Sequence, residues 1–171
     1  VCGQVGTVFF ALLYAVVSYF CRYYGEMITF MGMSGPGAGC SIVSWLRHPY
    51  AGTKEVQVSR LSSRQAWLLA GAALLVTVGF YFILGALGNA NLAVSTLSVT
   101  ASFVASSLAF LRSPYYALAY SVNDLILVVL WGLAALESLA YIPMLACFAV
   151  FFFNDLYGFY NWRRMQRRQR G

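Results

Sequence analysis

Two Asn-Asp dyads, Asn123-Asp124 and Asn154-Asp155, interrupt long apolar stretches of the chain. An ionisable side chain within a bilayer costs roughly 2.5–3.5 kcal/mol on insertion scales unless it faces protein or water, so these residues mark where polar chemistry concentrates. Carboxylates can offset a cation, and amides both donate and accept hydrogen bonds. Tyr120 precedes Asp124 by four residues and Trp131 follows it by seven, which puts all three on one helix face. Tyr157 and Asn161 follow Asn154 by three and seven, and Gly158 beside them lets a ligand or a neighbouring helix approach closely. The competing reading is that amides and carboxylates only bond one helix to another. Two carboxylates flanked by aromatics favour a ligand cavity.

Other chemistries have little footing. His48 is the single histidine and sits in a polar loop, so a Ser/His/Asp triad would rest on it alone, and no G-x-S-x-G turn is present. Cys2, Cys21, Cys40 and Cys147 have neither CxxC nor Cys/His spacing, so no metal, cofactor or disulfide framework is implied. The expectation is a protein that is not an enzyme. The net charge of +6 and the tail RRMQRRQR suggest nucleic acid at first sight. A basic run directly after an apolar span more often sets topology and meets anionic lipid.

The elements that must hold the dyads are membrane helices. Hydrophobic residues make up 61% of the chain and charged ones 9%, with mean hydropathy +0.72, and runs near the ~20 residues needed to cross hydrocarbon fall at 4–21, 27–46, 66–88, 92–111, 115–137 and 139–162. If the spans alternate, Arg47, Lys54, Arg60, Arg64, Arg112, Arg163, Arg164, Arg167, Arg168 and Arg170 reach one side, leaving Arg22 opposite. The positive-inside rule makes that side, with the C-terminus, the cytoplasm. Counted from 115 and 162, both dyads lie about 11–13 Å deep at 1.5 Å per residue, on neighbouring antiparallel helices.

Span four carries Ser95, Ser98, Ser102 and Ser106 as one stripe, for which close helix packing is the favoured cause over substrate contact. Span two contains Ser34-Gly-Pro-Gly-Ala-Gly39, where a kink or break is expected. Span three has an almost continuous aliphatic surface, as a lipid-facing connector should. Sliding the chain by 117 residues sets Val5 on Val122, Leu13 on Leu130, Tyr24 on Tyr141, Met27 on Met144, Trp45 on Trp162 and Arg47 on Arg164, with Tyr14 opposite Trp131. Spans one and two thus repeat spans five and six in the same direction, as in parallel-repeat transporters. The expected fold is an all-α polytopic membrane bundle of 3+1+3 helices, six of seven present, in a fragment or processed form that begins at Val1 without a signal peptide. Within one transmembrane domain, 1–46 would be a partial first repeat, 47–65 a cytoplasmic loop, 66–88 a linker helix, 92–162 the second repeat and 163–171 a basic tail.

The run NDLYGFYNWRR at 154–164 and RSPYYALAYSVND at 112–124 resemble the last two helices of the PnuC-type nicotinamide riboside transporters. The resemblance implies a bundle similar to full-length SWEET carriers and facilitated diffusion of a vitamin precursor across a bacterial inner membrane. A cytoplasmic kinase would trap the product, without ion coupling. Carried over residue by residue, Asn123, Trp131, Asn154, Tyr157 and Trp162 match the family's polar-aromatic pattern, while its Tyr-Gly-x-x-x-Trp signature survives in the first repeat only as Trp45 with Arg47. With Asp124, Asp155 and Tyr120 these form the candidate substrate site. The partners are the bilayer and a small molecule, not nucleic acid, with a homo-oligomer left open, and thiamine or deoxynucleosides remain alternative substrates. A vitamin-capturing subunit of an energy-coupling-factor importer, docking through an A-x-x-x-A pattern such as Ala11 to Ala15, is a second reading, and a purely structural membrane protein a third.

Overall fold

The computed structural model describes residues 2–53, 55–89 and 91–169, with the backbone alone at residues 2 and 3; Lys54 and Arg170, counted among the clustered basic residues, lie outside the described residues. Helix α1, Cys2–Phe20, is apolar apart from Gln4, Thr7 and Ser18 and ends where Arg22 turns into the left-handed region at φ 62° and the Tyr23 N–H closes onto Ser18 O at 2.9 Å. The chain then enters a helical stretch in three joined pieces: α2, Tyr24–Thr29, a π-helical turn at Phe30–Ser34, and α3, Gly35–Arg47. The remaining helices are α4, Ser63–Ala86, α5, Leu92–Phe110, α6, Tyr116–Glu137, and α7, Ile142–Arg168, the last entered through a short 3-10 turn at Leu139–Tyr141. Pairing between strands is limited, among the described residues, to an isolated bridge of Pro49 with Val56.

Four helical stretches, Ser63–Ala86, Leu92–Phe110, Tyr116–Glu137 and Leu139–Arg168, are long and apolar enough to cross a bilayer, and Gln4–Phe20 is a shorter apolar helix. Five of the six expected spans fall on these stretches; the second, 27–46, falls on α2, the π turn and α3, which are not among them, and two boundaries also move. The second span starts earlier, at Tyr24, because Glu26, which reads as a polar boundary, is drawn into the helix and fully buried. The last helix continues to Arg168, since its basic end makes contacts of its own.

The kink expected over 34–39 takes the form of a π turn just ahead of it. Pro36 lacks an N–H and its ring would crowd the carbonyl four residues back. The wider turn accommodates this: the Gly35 N–H bonds Phe30 O five residues back, and Pro36 falls in the first turn of α3, where no donor is needed. Glycine at position 35 eases this turn, because a Cβ would stand 3.1 Å from Phe30 O, a tight contact.

The bundle packs in chain order, with α6 against α7, α5 against α6, and α4 against α5. Helix α4 begins with a capping box between Ser62 and Gln65, bonds α5 through the Thr77 and Thr100 hydroxyls at 2.6 Å, and otherwise exposes Leu68, Leu74, Leu75 and Phe82. Helix α3 fits α5 more tightly. Trp45 Nε1 donates to Ala109 O at 2.9 Å and the Ser44 hydroxyl to Phe110 O at 3.0 Å, satisfying carbonyls at the end of α5.

At this same end the Trp45, Tyr116 and Trp162 rings cluster, with Trp45 and Trp162 centroids 5.0 Å apart. The loop after α3 is pinned there too. Gln169 accepts from the Val58 N–H and donates to Val56 O, both at 2.9 Å, and Arg168 pairs with Glu55 at 3.0 Å. Arg47, Arg112 and Arg163 therefore share one end of the bundle, and Arg163 lies over the Tyr115 ring. His48 is exposed, and its ring is bonded locally, through Nδ1 to Ser44 O.

The α3–α5 seam yields a direct test. A Cβ at Gly37 would stand 3.0 Å from Ser106 Cβ, whereas one at Gly39 meets nothing within 4 Å. Gly37→Val is expected to cost ~1–3 kcal/mol by overpacking. Gly39→Ala should leave the melting temperature equal or slightly higher, since alanine is the better helix former. Equal melting temperatures for Gly37→Val and the parent in detergent would contradict this packing.

Candidate functional site

Helix α1 meets α6 and α7 through large side chains, and the space those rings prop open is a cavity of about 410 Å³. Phe10 lies edge-on to Phe151 at 4.7 Å and to Phe148 at 6.0 Å, and Tyr14 packs on Phe30 at 4.4 Å. Helix α6 supplies Tyr116, Tyr120, Asn123 and Asp124 to the wall, and α7 supplies Asn154, Asp155, Tyr157 and Gly158. Gln4 and Thr7 of α1 and Phe30 and Ser34 of the π turn close the other side. The exposed members of the lining are Gly6, Asn154 and Tyr157, so the mouth lies between α1 and α7. Among the described residues, no lysine, arginine or histidine lines it.

The polar wall is held from behind. Asn123 and Asp124 are almost fully buried, at 2% and 5% exposure. Asn123 Oδ1 lies 3.2 Å from Ser98 Oγ, and the Tyr120 hydroxyl 3.1 Å from Ser106 Oγ, so two members of the α5 serine stripe anchor cavity residues besides allowing close packing. Asp124 and Asp155 interact directly across the α6–α7 seam, and Asn154 Nδ2 reaches Asp155 Oδ1 at 3.5 Å. Three buried lining atoms have no hydrogen-bond partner: Gln4 Oε1, Ser34 Oγ and Asp124 Oδ2. Buried polar groups are nearly always paired, so atoms left open around one cavity point to a ligand or water that completes them. A larger groove of about 630 Å³ between α3, α4 and α5 offers mainly apolar side chains and glycines, with no carboxylate.

Comparison with known proteins gives this cavity a context. A family model described as nicotinamide mononucleotide transporter matches residues 2–164. The chain belongs to this transporter family. It is 30% identical over 179 residues to a nicotinamide riboside transporter PnuC from Neisseria mucosa, an alignment that spans 99% of the chain and 68% of the relative. A crystal structure of the vitamin B3 transporter PnuC superposes with a TM-score of 0.80 at 27% identity, over 97% of the chain and 73% of the other. These relatives are transporters, not enzymes. With its apolar spanning helices, the chain is a multi-pass membrane protein of the same family.

In this transporter-family member, the structure brings together Asn123, Asp124, Asn154, Asp155, Tyr120 and Tyr157 around one cavity. It does not bring Trp131, Trp45 or Trp162 to the lining. Trp131 is fully buried in the packed core, donating from Nε1 to the Tyr14 hydroxyl at 2.6 Å, because the seven-residue step from Asp124 carries it two turns away from the mouth. Trp45 and Trp162 sit below Tyr116, and only Tyr116 of that cluster touches the cavity.

The contribution of the first helices is absent from the expected site. Gln4 and Thr7 were hidden in an otherwise apolar run, although the 117-residue shift sets Thr7 on Asp124 and so carried a signal. Ser34 enters only through the π turn, which no periodicity anticipates. Glu26, also missed, is fully buried behind Ser98.

Removing the Trp131 partner leaves a buried indole N–H unpaired, which costs roughly 1–3 kcal/mol. Tyr14→Phe is therefore expected to lower the melting temperature while changing ligand affinity little. A variant with unaltered melting but much weaker binding would place Trp131 in the ligand's path instead.

Proposed function

We propose that the protein carries nicotinamide riboside, or a close vitamin or nucleoside relative, across the cell membrane by facilitated diffusion, with phosphorylation inside the cell trapping the product. The observation that carries this reading is the acidity of the cavity: two neighbouring carboxyl groups, Asp124 and Asp155, which can share one proton and keep one negative charge, and among the described residues no basic side chain. Nicotinamide riboside is a pyridinium cation that carboxylates offset and that Tyr120, Tyr157 or Phe151 can face. Asn123 and Asn154 can meet its carboxamide or ribose hydroxyls. A mononucleotide adds a phosphate, which proteins hold with arginine, lysine or clustered N–H groups. A negatively charged acid pair repels it. The family's descriptive name thus fits this cavity less well than the riboside named for its relatives.

The bundle is read as two parallel repeats joined by α4, SWEET-like in outline, with the basic end and C-terminus in the cytoplasm. In support, Tyr14 bonds Trp131 and Trp45 stacks near Trp162, two pairs each separated by 117 residues. Residues related by a two-fold axis meet one another when they lie beside it. An energy-coupling-factor subunit is disfavoured because Ala11 and Ala15, its candidate docking pattern, are fully buried.

Counterflow in vesicles of purified protein tests the proposal. Labelled nicotinamide riboside should exchange without nucleotide or partner, the mononucleotide should compete poorly, and imposed proton or sodium gradients should not drive accumulation above equilibrium. With three acids, Glu26, Asp124 and Asp155, inside the bundle, the proton gradient is the demanding arm. Accumulation under it would overturn facilitated diffusion, and preferred exchange of the mononucleotide would overturn the riboside assignment. A reporter fused to the C-terminus should be active only in the cytoplasm.

A further inference from the structure

Glu26 is fully buried near the start of α2 and is absent from the cavity lining. A carboxyl group at such a place is costly and is retained only with a use. Its Oε2 lies 3.3 Å from Ser98 Oγ, and its Oε1 has no partner. The same Ser98 oxygen lies 3.2 Å from Oδ1 of Asn123, which does line the cavity. Glu26, Ser98 and Asn123 therefore form one line from α2 through α5 to the cavity wall on α6.

Hydrogen counting makes this line informative. A serine hydroxyl has one hydrogen, yet here it stands between two acceptor oxygens. With the Ser98 hydrogen spent within this line, both contacts are hydrogen bonds in two arrangements. In one, the Glu26 carboxyl donates to Ser98 Oγ and Ser98 donates to Asn123 Oδ1, so the Asn123 NH2 is left for the cavity. In the other, Ser98 donates to the Glu26 carboxylate, and the Asn123 amide turns so that Nδ2 donates to Ser98 and the carbonyl faces the cavity. The two amide ends have nearly the same shape, so packing around Asn123 discriminates between them weakly. The hydrogen-bond line decides.

We propose that Glu26 is a positioning residue which, through Ser98, fixes the end of the Asn123 amide that the cavity presents to a ligand. The proposal rests on the cavity being the riboside site and assigns to a residue outside that cavity the control of one of its donors or acceptors. Glu26 acts on the ligand only through Asn123. Its effect must then vanish when the amide is gone, whereas a residue that merely supports the fold would act regardless.

The test is a double-mutant cycle on the purified full chain with nicotinamide riboside as probe, measured by calorimetry. Glu26→Leu and Ser98→Ala should each weaken binding about tenfold, one lost hydrogen bond's worth, and their combination no further. Glu26→Gln, which can still bond Ser98, should stay within about threefold of the parent. In an Asn123→Ala background Glu26→Leu should have no effect. A loss from Glu26→Leu that persists in that background, or no loss in the parent, overturns the proposal. The side-chain amide resonances of Asn123, identified by their disappearance in Asn123→Ala, give a ligand-free readout. They should shift in both Glu26→Leu and Ser98→Ala, and unmoved resonances also overturn the proposal. If the resonances shift but the parent binds no riboside, the line to Asn123 stands and the substrate reading is what fails.

Discussion

A polar group inside a bilayer must find its partner within the protein, because hydrocarbon offers none. Much of this molecule follows from that constraint. The backbone meets it with helices, and where Pro36 cannot donate, a π turn absorbs the defect rather than a break exposed to lipid. The side chains meet it in part through α5, where Ser98 and Ser106 hold Asn123 and Tyr120 by their hydroxyls. At the basic end, Trp45 and Ser44 close carbonyls that α5 leaves open. Polar atoms that this internal pairing leaves open then gain meaning. Gln4 Oε1, Ser34 Oγ and Asp124 Oδ2 border one cavity, where an occupant can complete them.

The cavity exists because of what surrounds it. Helices α6 and α7 pack closely, and Gly158 lies only an ordinary contact from Ala117, at 3.7 Å for an added Cβ. Helix α1 is held away by Phe10 and Tyr14, large rings that fill the space toward the core but not toward the mouth. Rigid aromatic packing on one side and an acidic, amide-lined wall on the other make a site that is apolar in bulk with few convergent polar groups, the usual character of small-molecule sites.

The sequence made five of the spans and part of the candidate cavity lining legible. The dyads stood out because Asn and Asp are conspicuous in apolar helices, and their equal depth follows from counting residues. Trp131 misled because a shared face over seven residues says nothing of how far along the helix the cavity extends; it lies in the core, bonded to Tyr14. Glu26 was overlooked because hydropathy treats a carboxylate near a helix start as a boundary, although burial beside Ser98 makes it interior. Gln4 and Ser34 depend on tertiary contacts between α1, the π turn and α6, which no local pattern encodes. Tyr14 and Trp131, which the 117-residue shift aligns, are hydrogen-bonded in the core.

The central claim is that the dyads serve a ligand rather than join helices. Binding affinity measured beside melting temperature for Asp124→Asn and Asn154→Leu tests it most directly. Polar contacts in membrane bundles are worth only ~0.6–2 kcal/mol to stability, so melting should change little. Affinity for nicotinamide riboside should fall about tenfold or more, as expected when a ligand contact is removed. Unchanged affinity in variants that lose monodispersity or melt at lower temperature would contradict the claim and make the dyads structural.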